Sequence, residues 1–336
     1  MRVKLSLEVA SFLVLVGVLA VMPRLLSDFH TRELAYVGFY FIALVGLAVL
    51  TGYNGQISLG HGAFMGIGGY TTAILNVDHG VRDLWTIPIA GVVAGLAGLL
   101  VGIPALRLSG LYLALVTFGI AVSFPLIVKK YEHFTGGSTG KSPNVIAPPF
   151  GLHTTANRWF YYLTWGIALV LLIAAWTLLR TKPGRAWQAI RDSEIAAASA
   201  GISIARYKTL AFGISAFYAG VAGSLFGIVT GFVSPDVFPI LLSVYLVVGL
   251  AVGGLGSLAG LLAGAALVYY LQYHAGAVGR WVNHLPYVSF DPTKPGVSDL
   301  AFGAVLILVM LILPTGVGGL LRRALGPLTS RLYTRS

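Results

Sequence analysis

The sequence lacks cysteine and carries little charge. With no cysteine among its 336 residues, the chain can form no disulfide, no thiolate metal site and no cysteine nucleophile. Charged residues make up 10% of the chain, whereas soluble domains carry about 25%. Hydrophobic residues make up 57%. This balance excludes an ordinary soluble domain and predicts an all-α, polytopic transmembrane helical bundle.

Two catalytic signatures are also missing. No GxxxxGK[ST] loop occurs, so the chain cannot cradle a nucleotide in the manner of a P-loop. The histidines show no His-Glu-x-x-His or comparable ligand spacing, which argues against an intramembrane metalloenzyme. We therefore expect a protein that is not an enzyme and that binds no cofactor or metal of its own.

Acidic residues are scarce where an ion-coupled carrier would need them. Such carriers ordinarily bind protons or sodium with membrane-buried carboxylates. Among the predicted spans, Glu8 lies near the end of the first, and almost nothing acidic lies deeper in any of them. This disfavours an ion-gradient-driven secondary transporter, which stays the alternative from a different functional class.

Apolar runs of about 17 to 25 residues, the length that crosses a bilayer, define the predicted spans. Some of these runs are short or rich in glycine and are expected to be broken or re-entrant, which leaves about 8–10 crossings. Glycine-interrupted runs in both halves also suggest inverted repeats. The predicted spans are 7–26, 34–51, 57–76, 86–104, 110–129, 159–180, 208–232, 239–254, 256–273 and 298–314.

Basic residues concentrate in residues 181–207, called the island below, and in a tail at 317–336. An excess of Lys and Arg in short loops marks the cytoplasmic side of a membrane. The parity of the crossings then puts both termini, the island and the tail in the cytoplasm, with external loops at 130–158 and 274–297. The net charge of +11 reflects this topology and is not a nucleic-acid footprint.

The island is predicted to form an amphipathic helix. Pro183 and Gly184 punctuate its start, and Gly201 offers a left-handed stop. Two interpretations stay open: a connector that lies on the bilayer surface, or a docking helix for a cytosolic partner. The predicted apolar face consists of Trp187, Ile190, Ala197 and Ala198.

Glycine is abundant, with 43 copies placed largely within the spans. Small residues let helix backbones approach closely where lipid offers no hydrophobic driving force. Where polar groups accompany the glycines, a broken helix that lines a cavity is the functional interpretation. The glycines predicted to be structural are Gly55, Gly60, Gly66, Gly253, Gly254 and Gly256.

Polar side chains inside or beside the apolar runs are candidates for lining a translocation path. In a membrane protein, such a group either contacts the solute or forms an interhelical hydrogen bond, and the second role is the commoner. The candidates are Gln56, Ser58, Tyr112, Thr117, Ser234 and Ser243.

Seven segments in order resemble the LivM-type permease subunits of branched-chain amino acid ABC transporters. They are GYNGQISLGHGAFMGIGGYTTAIL (52–75), LRLSGLYLALVTFGI (106–120), TGGSTG (135–140), the charged stretch GRAWQAIRDSEIAAASAGISIARYK (184–208), AFGISAFYAGVAGSLFG (211–227), GFVSPDVF (231–238) and VGGLGSLAG (252–260).

The resemblance implies one transmembrane permease domain over residues 1–336 in a bacterial cytoplasmic membrane. It also implies the partners: a second, non-identical permease, two cytosolic subunits that bind ATP and magnesium, an external solute-binding protein and membrane lipid. Leucine, isoleucine or valine would be the cargo. Members of the wider family carry urea, short amides or other small solutes, and the sequence does not discriminate among these.

The resemblance also implies roles within the island. In this family a cytoplasmic loop with a Glu-Ala-Ala and later Gly pattern enters a cleft on the ATPase. The nearest match begins at Glu194, although Ile195 interrupts the order of the pattern. The implied docking residues are Arg185, Arg191, Glu194, Ala197 and Gly201, the first three for polar contact.

Overall fold

The computed structural model describes residues 15–106, 110–144, 154–255 and 260–282, together with residues 108, 148, 258, 303 and 316–319. These residues are predominantly helical, and the β structure among them is an isolated antiparallel bridge between Lys141 and Val233. The helices are α1 (Leu15–Leu25), α2 (Asp28–Leu47), α3 (His61–His79), α4 (Asp83–Ala105), α5 (Leu111–Lys130), α6 (Glu132–Thr135), α7 (Ala156–Arg180), α8 (Lys182–Asp192), α9 (Glu194–Ser199), α10 (Ile204–Thr230), α11 (Ile240–Gly253) and α12 (Leu261–Val282).

The predicted polytopic helical bundle is confirmed. Six helical stretches in the described part of the chain are long and apolar enough to cross a membrane, and α1 and the apolar part of α12 are shorter. The predicted third span, 57–76, corresponds to α3. Polar residues at both ends and several glycines make α3 less hydrophobic than these six stretches. The six stretches are Asp28–Tyr53, Asp83–Pro104, Leu111–Lys130, Ala156–Arg180, Ile204–Thr230 and Pro235–Gly253.

On the C-terminal side, the predicted segments concern α12 and the residues that follow it. Helix α12 continues to Val282, into the region 274–297 that is predicted to be an external loop. Hydropathy ends the span where histidine and glycine appear, whereas the backbone of α12 keeps its hydrogen bonds beyond that point. The predicted span 298–314, apart from residue 303, and most of the tail 317–336 lie outside the described residues.

Polar contacts at the two ends of the bundle show how the chain threads. At one end, called the island end, Arg191 of α8 donates a hydrogen bond to the carbonyl of Gly52. At the opposite end, the start of α2 meets the start of α7, where Thr155 Oγ1 donates to Asp28 Oδ1 at 3.1 Å. Lys129 at the end of α5 also pairs there with Asp236, at 2.8 Å. Successive spans therefore alternate in direction, as the predicted crossings require.

The loop after α5 closes over this opposite end. Backbone groups of Lys141 and Val233 exchange hydrogen bonds of 2.8 and 2.9 Å. The Lys141 ammonium group also donates to the Asp78 carboxylate at the end of α3, at 2.6 Å to Oδ1. The TGGSTG segment is thus anchored both to α3 and to the turn that follows α10.

Helix α10 forms the centre of the bundle and packs against α2, α3 and α4. Its approach to α3 is closest at two glycines. A Cβ atom added to Gly223 would overlap the Met65 carbonyl, and one added to Gly68 would overlap the Gly220 carbonyl. Because the obstacle in each case is backbone, no rotation of a side chain can relieve it. Glycine here permits the close crossing that membrane helices use in place of hydrophobic attraction.

The glycines predicted to be structural lie at several such contacts. A Cβ on Gly60 would lie 3.1 Å from the Thr117 carbonyl, and one on Gly66 would overlap the Phe124 ring. Gly253 faces the Gly260 carbonyl across the junction of α11 and α12, at 3.0 Å from an added Cβ. Gly55 and Gly254 adopt positive φ angles of 76° and 94°. Gly256 lies outside the described residues.

The crossing of α3 and α10 generates a matched test. We expect Gly223→Ala to destabilise the folded chain by about 1–3 kcal/mol or more, because overpacking forces the two backbones apart. Gly166→Ala in α7 is the control, since an added Cβ there meets nothing within 4 Å. Fluorescence-detected size exclusion after graded heating measures both variants. Equal melting temperatures for the two would contradict the assigned crossing.

Candidate functional site

The island folds as two short helices, α8 and α9, separated at Ser193. The Ser193 backbone is extended, with φ −162°, and its hydroxyl accepts a hydrogen bond from the Ala196 N–H at 3.3 Å. Serine in this position caps the next helix and ends the register of the preceding one. Trp187, Ile190 and Ala197 are buried as predicted, but Ala198 is exposed. That part of the prediction is wrong because the break at Ser193 rotates α9 relative to α8.

Gly201 ends α9 in the left-handed conformation that the sequence predicts, with φ 78°. The Gly201 N–H donates to the Ala198 carbonyl at 2.9 Å, and the Ile202 N–H donates to the Ala197 carbonyl at 3.0 Å. This is the Schellman arrangement, in which a glycine without a Cβ closes the helix end. Gly201 therefore sets the direction in which the chain enters α10.

Two side-chain contacts attach the island to the start of α10. The fully buried Trp187 donates its indole N–H to the Tyr207 carbonyl at 2.8 Å. The Lys208 ammonium group donates to Glu194 at 2.6 Å, and the Lys208 side chain is only 5% exposed against 47% for Glu194. A buried ammonium group requires such a partner, because an unpaired charge is costly away from water.

A third contact attaches the island to the end of α2. Arg191 Nη1 donates to the Gly52 carbonyl at 2.7 Å, while Nε and Nη2 lie 3.3 Å from Asp192 Oδ1. The predicted docking residues therefore occupy different environments. Arg185 is exposed on α8, whereas Arg191 and Glu194 are engaged by groups of their own chain.

The segment that Arg191 contacts is not regular helix. Helix α2 continues as a π-helix over Ala48–Tyr53, and residues 54–60 then run without helix to the start of α3. We call residues 48–60 the interrupted segment. The Gln56 N–H donates to the Leu50 carbonyl at 3.1 Å, and Thr51 Oγ1 donates to the Gln56 carbonyl at 2.9 Å. π-Helical turns of this kind occur frequently at functional sites.

Helix α3 begins inside the protein, and hydroxyl groups from other helices satisfy N–H groups in its first turn and just before it. Thr117 of α5 accepts from the Leu59 N–H, and Ser243 of α11 accepts from the Gly62 N–H, both at 2.9 Å. Thr117 and Ser243 are fully buried. Ser58 accepts from the Gly60 N–H at 3.3 Å. The break in the backbone is thus tolerated because its polar groups find partners within the protein.

The structure divides the predicted path residues into two groups. Gln56, Ser58, Thr117 and Ser243 all lie in or against the interrupted segment and the start of α3. Tyr112 does not join them, because its side chain points outward from α5 and is 69% exposed. Ser234 is buried at the opposite end, where it faces Gly140.

A small cavity of about 70 Å³ lies between the island and the interrupted segment. The Asn54 side-chain N–H donates to Gln56 Oε1 at 2.6 Å, but Asn54 Oδ1 and Gln56 Nε2 are buried without a hydrogen-bond partner among the described residues. The lining residues are Asn54, Gly55, Gln56, Leu108, Gly110, Leu113, Ile190, Arg191, Glu194 and Lys208.

Two polar groups near the interrupted segment are missing from the predicted site. His61 is completely buried, and its Nε2 lies 3.2 Å from the Ser215 hydroxyl, which donates to the Gly46 carbonyl. Lys208 reads in sequence as the last charge of the stretch 184–208, and the structure buries it. The signal for His61 is a polar residue among the glycines of 60–69, whereas Lys208 carries no such signal because its burial depends on how the island folds back.

No cluster of His, Cys, Asp or Glu within the described residues is able to hold a metal ion. The features of the site are a charged helical island, an interrupted helix and hydroxyl groups that link three transmembrane elements.

The relatives that a comparison with known proteins finds are permease proteins. The permease protein LivM of the high-affinity branched-chain amino acid transport system of Escherichia coli is 38% identical over 243 residues, 64% of this chain and 56% of that protein. The autoinducer 2 import system permease protein LsrC of Enterobacter is 27% identical over 224 residues, 64% of this chain and 61% of that protein. The permease protein LivH of Salmonella typhimurium is 23% identical over 295 residues, 83% and 91% of the two chains.

The chain spans about half the length of the LivM proteins it matches, 56% and 49% in two cases. No solved structure matches it. The family described as branched-chain amino acid transport system / permease component matches residues 31–311, well over half of the chain. The chain is therefore a member of this permease family.

Proposed function

We propose that the chain is a transmembrane subunit of an ABC importer and forms the translocation path for branched-chain amino acids. In this proposal an external solute-binding protein delivers leucine, isoleucine or valine, and two cytosolic subunits that bind ATP and magnesium supply the energy. The protein lies in the bacterial cytoplasmic membrane with the island and both termini in the cytoplasm. Family membership and the transport system named for LivM and LivH support the proposal.

The observation that carries the proposal is the construction of the island. It presents exposed charge on one face, yet its other face is fastened to α10 by Trp187 and to the end of α2 by Arg191. A connector that only lies on lipid needs no such fastening to two different helices. A partner that moves the island would move the helix ends with it, which is what an ATPase must accomplish to bias alternating access.

A second, non-identical permease is the expected neighbour in the membrane. This chain aligns with both LivM and LivH, two differently named permease proteins of one kind of transport system. Helices α5 and α7 expose much of their apolar surface in the single chain. We propose that part of this surface contacts the sister subunit and that lipid covers the rest.

The cargo defines the main alternative within the family. LsrC is named for import of autoinducer 2, so relatives of this chain differ in their solutes. The path residues near the interrupted segment carry hydroxyl and amide groups rather than charges, and the hydroxyls of Ser58, Thr117 and Ser243 accept hydrogen bonds from backbone N–H groups of this chain. We propose that the binding protein supplies specificity, and urea or a short amide stays the alternative cargo.

Reconstitution tests the whole proposal. We expect the purified chain in lipid nanodiscs to hydrolyse no ATP. Proteoliposomes should accumulate labelled leucine only when the chain is combined with both ATPase subunits, a second permease and a leucine-loaded binding protein. Competition with unlabelled valine, urea and acetamide identifies the cargo class. Uptake by the chain alone under an ion gradient would instead establish a secondary transporter, and a functional homodimer would refute the non-identical partner.

Charge reversal on α8 separates docking from lipid contact. Arg185 and Lys182 are both exposed and lie within one turn of the same helix. If Arg185 contacts the ATPase, Arg185→Glu should reduce co-purification of the ATPase subunits at least about tenfold, since like-charge juxtaposition costs several kcal/mol. Lys182→Glu should have little effect. Surface attraction to anionic lipid is worth about 1 kcal/mol for either cation, so equal, small effects of the two variants would point to a bilayer connector.

Glu194 requires a different test because it neutralises the buried Lys208. Removing one partner of a fully buried ion pair costs about 3–5 kcal/mol of stability. Glu194→Gln should destabilise the chain by less than this, since about half of the Glu194 side chain is exposed to solvent. Adding Lys208→Gln should recover much of the loss, because the uncompensated ammonium group is then gone. Melting temperatures of the wild type, both single variants and the double variant form the cycle. Strict additivity would show that the two groups do not interact.

A further inference from the structure

We propose that Arg191 is a positioning residue that transmits displacement of the island to the interrupted segment, and through it to α5 and α11. The inference rests on the proposed function, because the displacement is attributed to the ATPase partners. It assigns Arg191 to a contact within the permease, where the family resemblance implies a contact with the ATPase.

Arg191 makes a long-range contact with the end of α2. Trp187 of α8 and Glu194 of α9 bond to Tyr207 and Lys208 near the start of α10, 20 and 14 positions further along the chain. Arg191 instead reaches Gly52, a residue 139 positions away, with a charge-assisted hydrogen bond of 2.7 Å. A guanidinium group at the last carbonyls of a helix also complements the negative end of its dipole. Arg191 thus joins α8 to the π-helical end of α2.

Arg191 also fits closely against Gly55. A Cβ atom added to Gly55 would lie 2.9 Å from Arg191 Cγ, and Gly55 has a positive φ of 76° that disfavours any other residue. The arginine side chain therefore lies along the turn of the interrupted segment as well as bonding to its carbonyl. A movement of α8 cannot leave this turn in place.

The cavity beside Arg191 also contains polar atoms that could form other hydrogen bonds. Asn54 Oδ1 and Gln56 Nε2 are an unpaired acceptor and an unpaired donor, and turning both amides over leaves one of each. Arg191 and Lys208 line the same cavity with donors, and Glu194 lines it with an acceptor. A shift of the island therefore has new hydrogen bonds available, which is the property required of an element with two arrangements.

The end of the interrupted segment that leads into α3 is bonded to two other helices. The Leu59 N–H bonds to Thr117 of α5, and the Gly62 N–H bonds to Ser243 of α11. Arg191 contacts Gly52 and Gly55, and the backbone that runs from Gly55 to Gly62 connects this turn to the hydroxyls of Thr117 and Ser243. Displacement of the turn at Gly55 reaches α5 and α11 through these bonds, without a direct contact between the island and either hydroxyl.

The experiment compares Arg191→Gln with Lys182→Gln in the complete reconstituted transporter. Lys182 is an exposed cation on the same helix and serves as the control. We expect the ATPase subunits to co-purify with Arg191→Gln and to hydrolyse ATP, while leucine transported per ATP hydrolysed falls at least about fivefold, the lower end of typical allosteric couplings. Gly55→Ala, which crowds the same contact from the other side, should lower this ratio as well.

Amide hydrogen exchange supplies a readout that a merely structural role would not move. In the wild type, exchange of residues 54–60 should differ between the nucleotide-free and the ATP-trapped complex. In Arg191→Gln this difference should vanish, although exchange in α10 stays protected. In Lys182→Gln both the difference and the transport ratio should match the wild type.

Each remaining result has a definite meaning. Loss of ATPase co-purification in Arg191→Gln would make Arg191 a docking contact and overturn the positioning role. A wild-type transport ratio in that variant, with a wild-type exchange difference, would overturn it too. Failure of the wild type to form a complex or to transport leucine with ATP would instead refute the proposed function, and it is recognised before any variant is compared.

Discussion

The organisation of this protein depends on one constraint: the backbone is interrupted inside an apolar bundle, and its freed polar groups must be satisfied there. Those of the groups that are buried cannot bond to bulk water, so they need partners from the protein itself. Thr117, Ser243 and Ser58 provide acceptors for the N–H groups that begin α3, and the Gly52 carbonyl receives Arg191. Helices α5 and α11 and the island are thereby drawn to one short segment.

This constraint also explains why the polar residues of the bundle are arranged as they are. Hydroxyl and amide side chains gather around residues 48–60, while the α3 and α10 crossing combines glycine at Gly68 and Gly223 with one hydrogen bond of 2.6 Å between the Thr72 and Ser224 hydroxyls. The two kinds of contact serve different ends. Glycine lets backbones pack closely and resist separation, whereas hydrogen bonds to an irregular segment can be exchanged for others of similar strength. The proposed transport function would use both a rigid frame and a part that rearranges.

The comparison between prediction and structure is informative at individual residues. Spacing and hydropathy located nearly every described helix, because burial of apolar side chains in lipid requires long uniform runs. They also identified Gly201 as a helix stop and most of the buried face of α8. They misplaced Ala198, because a single capping serine resets the register, and they ended α12 too early, because hydropathy does not sense backbone hydrogen bonds. Of the six path candidates, four converge and Tyr112 and Ser234 do not.

The sequence by itself determined the membrane class, the order of the spans, the charged island and the family resemblance. These features follow from composition and from the order of residues along the chain, and they require no knowledge of long-range contacts. Tertiary structure decided which polar groups meet. That Lys208 is buried against Glu194, and that Arg191 bonds to Gly52, follows from the folding of the island back onto α2 and α10. Contacts between residues more than a hundred positions apart depend on helix packing, which no local pattern in the chain records.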